Sequence, residues 1–461
     1  MPGASFRRGE TLSKLLELIR AKVDTRSTLL IACLAGMLFL GSWAAIHHGF
    51  YKEHQIIDTP LYQRYGDWMM HGSVPYRDFA IEYPPGALPA FVLPAIGNSG
   101  NAGAAPEPYV VRAAYRRNFE FLMAACGLAS IALLAISLRR LGTSNGRSAA
   151  ALGLLAITPL LLGPVVLSRF ELWPVMIAMA ALVAILLGLE WIGFFALGLA
   201  TAVKIFPVVL LPIACVWVWK RLSRRELAAC VGIFTTALAA CYVPFALAAP
   251  HGVWHSISVQ LSRPLQIESL GAASLVGLHH LFGLGVSTVS GSGSQNLAGS
   301  GTGAIAIVQT ALQVAALVAT WVWFARGEAS GERLTRASAA AIVAFVAFGK
   351  VLSPQFMIWL VPFVLLVRGR RGIATSGLLV ASLVLTQLWF PFRYWDYAIG
   401  FGAWPSAFVL LRDVALVALF ATLLTDLRSR EQEQPALEAA PNSVGLTASQ
   451  LSANAGSAVG A

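Results

Sequence analysis

Residues Thr28–Ile46 read TLLIACLAGMLFLGSWAAI, a stretch that carries no charged side chain. A helix needs about 20 apolar residues to cross the hydrocarbon core of a bilayer, and this stretch meets that length. The whole chain of 461 residues has the same character, since 57% of it is hydrophobic and only 12% is charged. Soluble proteins carry about 25% charged residues. The composition therefore excludes a water-soluble enzyme, a disordered protein and a fibre.

Further apolar stretches follow along the chain, and several are short enough to indicate broken or tilted helices. With the first stretch they bring the number of predicted crossings to twelve: Phe119–Leu138, Ser148–Leu167, Pro174–Leu189, Trp191–Ala202, Pro207–Trp219, Leu227–Leu247, Ala304–Phe324, Ala339–Phe348, Phe356–Val367, Ile373–Phe390 and Trp404–Leu424. The predicted fold class is therefore an all-α integral membrane protein with about 12 transmembrane segments.

Basic residues fix the predicted orientation, because Lys and Arg collect in cytoplasmic loops. If the N-terminus is inside, the basic runs at 139–140, 220–225 and 368–371 all follow an even number of crossings. Both termini are then cytoplasmic, and the net charge of +11 is explained without a nucleic-acid partner. The predicted organisation is a cytoplasmic segment (1–27), a membrane domain (28–427) and a disordered cytoplasmic tail (428–461).

This orientation places a loop of about 70 residues, 48–117, outside the membrane, and loops of that length usually carry function. Asp58-Thr59-Pro60 opens an apolar stripe that ends at Gly72, which predicts an amphipathic helix at the membrane interface. Two interpretations fit Asp58. It is the N-cap of this helix, an arrangement that stabilises a helix by about 1 kcal/mol, or it is a carboxylate that accepts a proton from an incoming hydroxyl.

The next segment of the loop, VPYRDFAIEYPPGALP (74–89), is rich in proline and aromatic residues. One interpretation is a rigid crossover in which Asp78 and Glu82 pair with Arg77 or with solvent. The alternative is a segment that binds a sugar or an acceptor through Asp78, Glu82 and Tyr83.

Cations recur at the predicted outer ends of the spans, where a charge is costly unless it points into a protein cavity. Four short segments contain them: SRFELWP (168–174), KIFP (204–207), RPLQIES (263–269) and KVLSPQ (350–355). Each cation by itself is equally well explained as an anchor that reaches the interface. Together they favour a phosphate-binding pocket, because Arg offers paired donors and Lys a point charge. No residue spacing typical of a metal site occurs in the sequence. The Gly/Ser-rich stretch 284–303 predicts a flexible outer loop.

The order of these motifs resembles glycosyltransferase family 87, membrane enzymes of the GT-C superfamily, over roughly Asp58 to Pro362. The resemblance implies a GT-C type bundle with interfacial helices in the first outer loop, and an inverting transfer of a sugar from a polyprenyl-phosphate donor to a lipid-linked or polysaccharide acceptor. It implies mannose as the sugar, with arabinofuranose as the alternative. No cofactor is implied, and metal dependence stays open.

The resemblance also assigns roles to residues. The family's catalytic acid falls on Asp58. Related families have a second carboxylate next to this acid, whereas Thr59 follows Asp58 here. The role of Asp67 therefore stays open. Donor-phosphate binding falls on Arg169, Lys204, Lys350 and Gln355. Substrate binding falls on Asp78, Glu82, Tyr83, Glu171, Arg263, Gln266 and Glu268.

Two other classes of protein fit parts of the sequence. A multi-pass transporter or lipid-sugar flippase also has twelve spans with both ends inside, but transporters place their polar groups near the middle of the bilayer and commonly in repeated halves. A non-catalytic scaffold of the cell envelope would leave Asp58 a cap and the cations anchors.

Overall fold

The computed structural model describes residues 25–53, 55–100 and 110–438, and almost all of its regular structure is helical. The first half contains α1 (Thr25–Ala45), α2 (Phe50–Glu53), α3 (Thr59–Met70), α4 (Leu88–Val92), α5 (Ala113–Arg140), α6 (Asn145–Leu162), α7 (Val165–Ser168), α8 (Leu172–Leu186), α9 (Glu190–Val203) and α10 (Leu211–Arg221). The second half contains α11 (Arg224–Ala248), α12 (Pro250–Leu261), α13 (Leu270–Phe282), β1 (Val286–Gly291), β2 (Ser294–Gly299), α14 (Thr302–Arg326), α15 (Gly331–Ala347), α16 (Met357–Val364), α17 (Gly369–Gln387), α18 (Tyr394–Gly400) and α19 (Ala403–Glu438). Short 3₁₀ turns cover Pro85–Ala87, Leu93–Ala95, Phe206–Leu210 and Pro354–Phe356.

Six helices of the described chain are long and apolar enough to cross a membrane. These are α1, α5, α6, α11, α14 and the first part of α19. The chain is thus a mainly helical protein whose long apolar helices suit a membrane, as its composition predicts. Each of the twelve predicted stretches overlaps a helix, but α8, α9 and α16 have only 15, 14 and 8 residues. The number of crossings therefore stays a prediction.

Helices α15 and α16 form the middle of the bundle. Every residue of α16 is buried, and α15 is buried on all sides over most of its length. A helix that is covered all round must be surrounded by other helices rather than lie at the surface. By contrast, α1, α11 and α14 keep many exposed apolar residues, which suit contact with lipid.

The described part of the segment 48–117 folds onto the bundle as a compact unit. Helix α3 is the amphipathic helix that the stripe after Asp58 predicts, and it buries Tyr62 and Tyr65. It packs so closely on α4 that a Cβ on Gly66 would lie 2.4 Å from the Phe91 carbonyl oxygen. Only glycine permits this approach, and it lets α3 rest directly on α4.

The Gly/Ser-rich stretch 284–303 is ordered as a β-hairpin, so the prediction of an irregular flexible loop is wrong. Strands β1 and β2 pair in antiparallel register from Val286 opposite Gly299 to Gly291 opposite Ser294. The turn lies at Ser292 and Gly293, which both adopt positive φ angles. Two such residues match the two-residue turns that hairpins prefer, and Gly supplies one of them without strain.

The C-terminal helix is longer than expected. It continues to Glu438, past the predicted end of the membrane domain at 427. Residues 439–461 of the predicted tail lie outside the described residues, as do 1–24 of the predicted N-terminal segment. Within this helix Arg412 and Asp413 are both fully buried, with Arg412 Nε 2.7 Å from Asp413 Oδ1. Arg412 Nη2 also donates to the Glu268 carbonyl at 2.6 Å.

Candidate active site

Asp58 precedes α3, but its side chain does not cap that helix. The backbone carbonyl of Asp58 accepts the first helical hydrogen bonds, from the amides of Leu61 and Tyr62 at 2.9 and 3.2 Å. Its carboxylate instead pairs with the guanidinium of Arg169 and accepts a hydrogen bond from the Tyr62 hydroxyl at 3.4 Å. The capping interpretation is therefore wrong for the side chain. With 30% of it exposed, the carboxylate remains accessible.

A break between α6 and α8 positions Arg169 and Glu171. Helix α6 ends at Leu162, Gly163 follows with φ of +63°, and Arg169 itself has an extended backbone. Non-helical backbone is tolerated at membrane depth only where protein buries it or where it lines a cavity. The first condition applies here, since the Glu171 side chain is fully buried and the Arg169 side chain is only 11% exposed.

Glu171 and Lys204 form a second ion pair, with Lys204 Nζ 2.5 Å from Glu171 Oε1. The other carboxylate oxygen accepts a hydrogen bond from Trp359 Nε1 at 2.6 Å. Lys204 occupies a break of its own, between α9 and the turn that begins at Phe206. The two pairs share the loop 169–171, and we call Asp58, Arg169, Glu171 and Lys204 the central cluster.

Aromatic rings cover the central cluster. Lys204 Nζ lies 4.8 Å from the ring centroid of Phe170 and 5.1 Å from that of Trp359, within the range of cation–π attraction. The Tyr83 ring packs edge-on against Phe170 at 5.1 Å. These rings exclude water on one side, which strengthens the electrostatic interactions of the charges that they cover.

The proline-rich loop reaches the central cluster through Gly86. A Cβ on Gly86 would lie 2.6 Å from the Ala202 carbonyl carbon, so only glycine lets the loop rest directly on the end of α9. This contact brings Glu82 under the influence of Lys204 and Arg263. Burial raises the pKa of Glu82, and the two positive charges oppose that rise.

Two carboxylates of the segment 48–117 are instead taken up by ion pairs of their own. Asp78 is exposed, lies 2.9 Å from Arg77 Nε and accepts a hydrogen bond from the Val74 amide. The hydrogen bond from Arg77 lowers the pKa of Asp78 to about 2. Asp67 binds both Nη atoms of Arg112. The crossover interpretation thus describes Asp78, and Asp67 joins α3 to the residues before α5.

The segment 263–268 forms a second wall, held in place by its backbone. The amide of Gln266 donates to the Lys350 carbonyl at 3.0 Å, and the amide of Ile267 donates to the Gln295 carbonyl in β2 at 3.1 Å. From the other side, Tyr397 Oη donates to the Ile267 carbonyl at 2.6 Å. The hairpin that replaces the expected loop therefore serves as a support for this segment.

Polar groups on this wall face the central cluster. Glu268 is buried, and burial raises its pKa to about 8 while Arg412 and Arg263 oppose the rise. The charge of Glu268 also acts on Arg169, as does the phenol of Tyr394. Gln266 is likewise buried, and its Oε1 has no hydrogen-bond partner among the described residues.

The remaining predicted phosphate ligands lie at the edge of the site. Lys350 Nζ donates to the Leu261 carbonyl at 3.0 Å at an exposed position. Gln355 is half-buried in the turn Pro354–Phe356, next to Phe356, whose ring centroid lies 5.7 Å from Lys204 Nζ. Arg263 is also half-buried and is near enough to influence Glu82.

Trp359, Tyr62 and Tyr394 belong to the site but are not identified by the sequence. Trp359 sits in an uncharged apolar run, and nothing in that run indicates a partner for Glu171. Tyr62 is visible only as a member of the apolar stripe of α3. Among the described residues, no group of three or more His, Cys, Asp or Glu side chains is arranged to hold a metal ion.

Compared with known proteins, the chain matches no family model and no curated protein.

Proposed function

We propose that the chain is an integral membrane glycosyltransferase that transfers a sugar, mannose in the first instance, from a polyprenyl-phosphate donor. Its acceptor is a lipid-linked glycan or a polysaccharide, and the reaction takes place at the extracytoplasmic face of the cell membrane. The proposal includes about twelve crossings with both termini cytoplasmic, and a GT-C architecture. It follows the resemblance of the outer-loop motifs to glycosyltransferase family 87.

The observation that carries this proposal is the pairing of Asp58 with Arg169. A partly exposed carboxylate that its own helix does not use contacts a guanidinium, and a second ion pair lies on the same loop. A base and two cations side by side are the groups that transfer from a phosphate requires. The base takes the proton of the nucleophile, and the cations stabilise the charge on the leaving group.

In the proposed reaction the acceptor hydroxyl gives its proton to Asp58 while its oxygen bonds to the anomeric carbon of the donor sugar. The bond between that carbon and the phosphate oxygen breaks, and polyprenyl phosphate leaves with the electron pair. Arg169 and Lys204 stabilise the new charge on the phosphate. Attack opposite the leaving group inverts the anomeric configuration.

The Asp58–Arg169 pair has a further consequence for the order of events. An adjacent guanidinium stabilises the ionised form of a carboxylate and makes it a weaker base. A donor phosphate competes for the same guanidinium, because arginine binds phosphate through paired hydrogen bonds. Donor binding therefore draws Arg169 from Asp58 and frees the carboxylate to accept a proton.

The test is transfer of labelled sugar by membranes that contain the wild-type protein or Asp58→Asn. The donors are polyprenyl-phosphate mannose and, in parallel, polyprenyl-phosphate arabinofuranose, with extracted lipids and glycans as acceptors. Asparagine cannot take the proton, so we expect a loss of at least about 100-fold. Asp396→Asn is the matched control, because this carboxylate is exposed on α18.

Equal amounts of inserted protein are confirmed before rates are compared. Undiminished transfer in Asp58→Asn would contradict the role of this residue as the base. Absence of transfer from either donor by the wild type would count against the enzyme class and favour a transporter of lipid-linked sugars.

A further inference from the structure

A cavity of about 300 Å³ borders the chain segments that carry Asp58 and Arg169, and the proposed reaction does not use it. Its volume falls at the lower end of the roughly 300–1,000 Å³ of small-molecule sites. Among the described residues, it is lined by Gln55, Ile57, Thr59, Val110, Val111, Arg116, Glu120, Leu167 and Ser168.

The lining places the cavity next to the proposed base but apart from the buried cation. Ile57 and Thr59 are the two neighbours of Asp58 in the chain, and Ser168 directly precedes Arg169. None of the four side chains of the central cluster belongs to the described lining. A molecule in the cavity therefore occupies a place separate from one bound at Lys204.

The polar end of the cavity is built from Arg116 and Glu120 on α5. Arg116 Nε lies 2.8 Å from Glu120 Oε1, and His47 Nε2 lies 2.9 Å from Glu120 Oε2. The Trp43 carbonyl fixes the imidazole in turn, 2.8 Å from its Nδ1. The Glu120 carboxylate is thus held from both sides, by Arg116 and by His47.

The polar end of the cavity places a charged donor, Arg116, beside a charged acceptor, Glu120. Hydroxyl groups both donate and accept hydrogen bonds, so a neutral polyol satisfies the carboxylate and the guanidinium together. The apolar lining, Ile57, Val111 and Leu167, suits the C–H faces of a sugar ring.

We propose that this cavity binds a neutral sugar unit of the acceptor. The statement that this sugar belongs to the acceptor rests on the proposed function. The binding of a neutral sugar does not depend on that function. Arg116 and Glu120 are then binding residues, and His47 is a positioning residue that orients Glu120.

The chain offers a matched pair of substitutions for the test. Arg116→Gln removes a charged donor from the cavity, and Arg117→Gln removes the same charge from the exposed side of the same helix. A second variant, Val111→Phe, fills the cavity without touching its charges. Each variant is purified in nanodiscs and checked for a monodisperse profile, so a folding defect in one leaves the other informative.

Two measurements are made on each variant. The first is equilibrium binding of a neutral alkyl mannoside without donor, with inorganic phosphate as competitor. The second is the KM for acceptor and for donor in the transfer assay. Since a hydrogen bond to a charged group contributes about 1.5–3 kcal/mol, we expect Arg116→Gln to weaken mannoside binding by about 10-fold or more. The KM for acceptor rises similarly, and the KM for donor does not.

The outcomes separate this inference from the proposed function. Unchanged mannoside binding in both Arg116→Gln and Val111→Phe would overturn the sugar site, as would displacement of the mannoside by phosphate. A rise in the KM for donor alone would overturn the assignment to the acceptor. Weakened mannoside binding in a protein that transfers no sugar would support the cavity as a sugar site while removing the proposed function.

Discussion

The Glu268 side chain lies beside Arg412, and its Oε2 has no hydrogen-bond partner among the described residues. Burial raises its pKa from the ordinary value of 4.5 to about 8. Between these values the folded chain holds a proton that the unfolded chain releases, so the folded state binds more protons. The free energy of unfolding therefore falls as the pH rises through this window.

This residue gives a prediction for stability. Glu268→Gln has no proton to lose, so its thermal unfolding midpoint should decline less than that of the wild type between about pH 5 and about pH 8. The measurement is a series of melting curves in one detergent, with Asp396→Asn as a control that should follow the wild type. Parallel curves for wild type and Glu268→Gln would show that the carboxyl does not titrate in this range.

Single residues of the site were predictable from sequence when they carry charge at an unexpected place. Asp58, Arg169, Glu171 and Lys204 all stand out against apolar flanks, and the structure brings them together. The aromatic residues of the site carry no such signal, because a tryptophan such as Trp359 occurs in buried helices whether or not they form a site. Asp78 shows the opposite failure, since its ion pair with Arg77 is a local contact of the kind that any exposed loop makes.

At the scale of elements, basic residues at one end of the bundle hold helix ends together. Arg147, at the start of α6, donates through Nη2 to the Val367 carbonyl at 3.1 Å and to Ser376 Oγ at 3.0 Å. Lys220 and Arg333 similarly donate to the carbonyls of Gly327 and Trp323. Cations next to the last carbonyls of a helix satisfy those groups and interact favourably with its dipole.

We predict that Arg147→Gln lowers stability because it leaves the carbonyl between α16 and α17 without its donor. Loss of such a bond from a partly buried group costs about 1–3 kcal/mol. Arg224→Gln is the control, as Arg224 is exposed at the start of α11. Both variants lose one positive charge, but only Arg147→Gln loses the hydrogen bonds to the carbonyls. Equal thermal unfolding midpoints for the two variants would therefore contradict the linking role of Arg147.

Elements of high hydrophobicity were predicted well, and irregular ones poorly. The six long helices follow from apolar length alone, because nothing else satisfies the backbone in lipid. The hairpin at 286–299 was missed because its residues are small and polar, and its order comes from pairing with the distant segment 265–267. Such a contact depends on tertiary structure, which local composition does not contain.

At the scale of the whole molecule, the cations fall into two groups with different partners. Arg147, Lys220 and Arg333 bind carbonyls at helix ends, and all three belong to the segments predicted to be cytoplasmic. Arg169 and Lys204 pair with carboxylates in the candidate site, which the same orientation places outside. In the predicted orientation, the basic residues that direct insertion also bind backbone carbonyls at the cytoplasmic ends of the helices. The basic residues of the outer face are then the ones that belong to the candidate site.

The two sides can be distinguished by labelling with a membrane-impermeant thiol reagent. Ser287 in the hairpin and Arg224 at the start of α11 are both exposed and belong to opposite predicted faces. We expect Ser287→Cys to be labelled in intact cells and Arg224→Cys only after the membrane is opened, with the wild-type chain as the background for its five native cysteines. A donor whose sugar is presented outside requires this result, because the hairpin supports a wall of the site. Labelling of Arg224→Cys from outside would reverse the orientation, place the site in the cytoplasm beside soluble sugar nucleotides, and remove the physical reason for a lipid-phosphate donor.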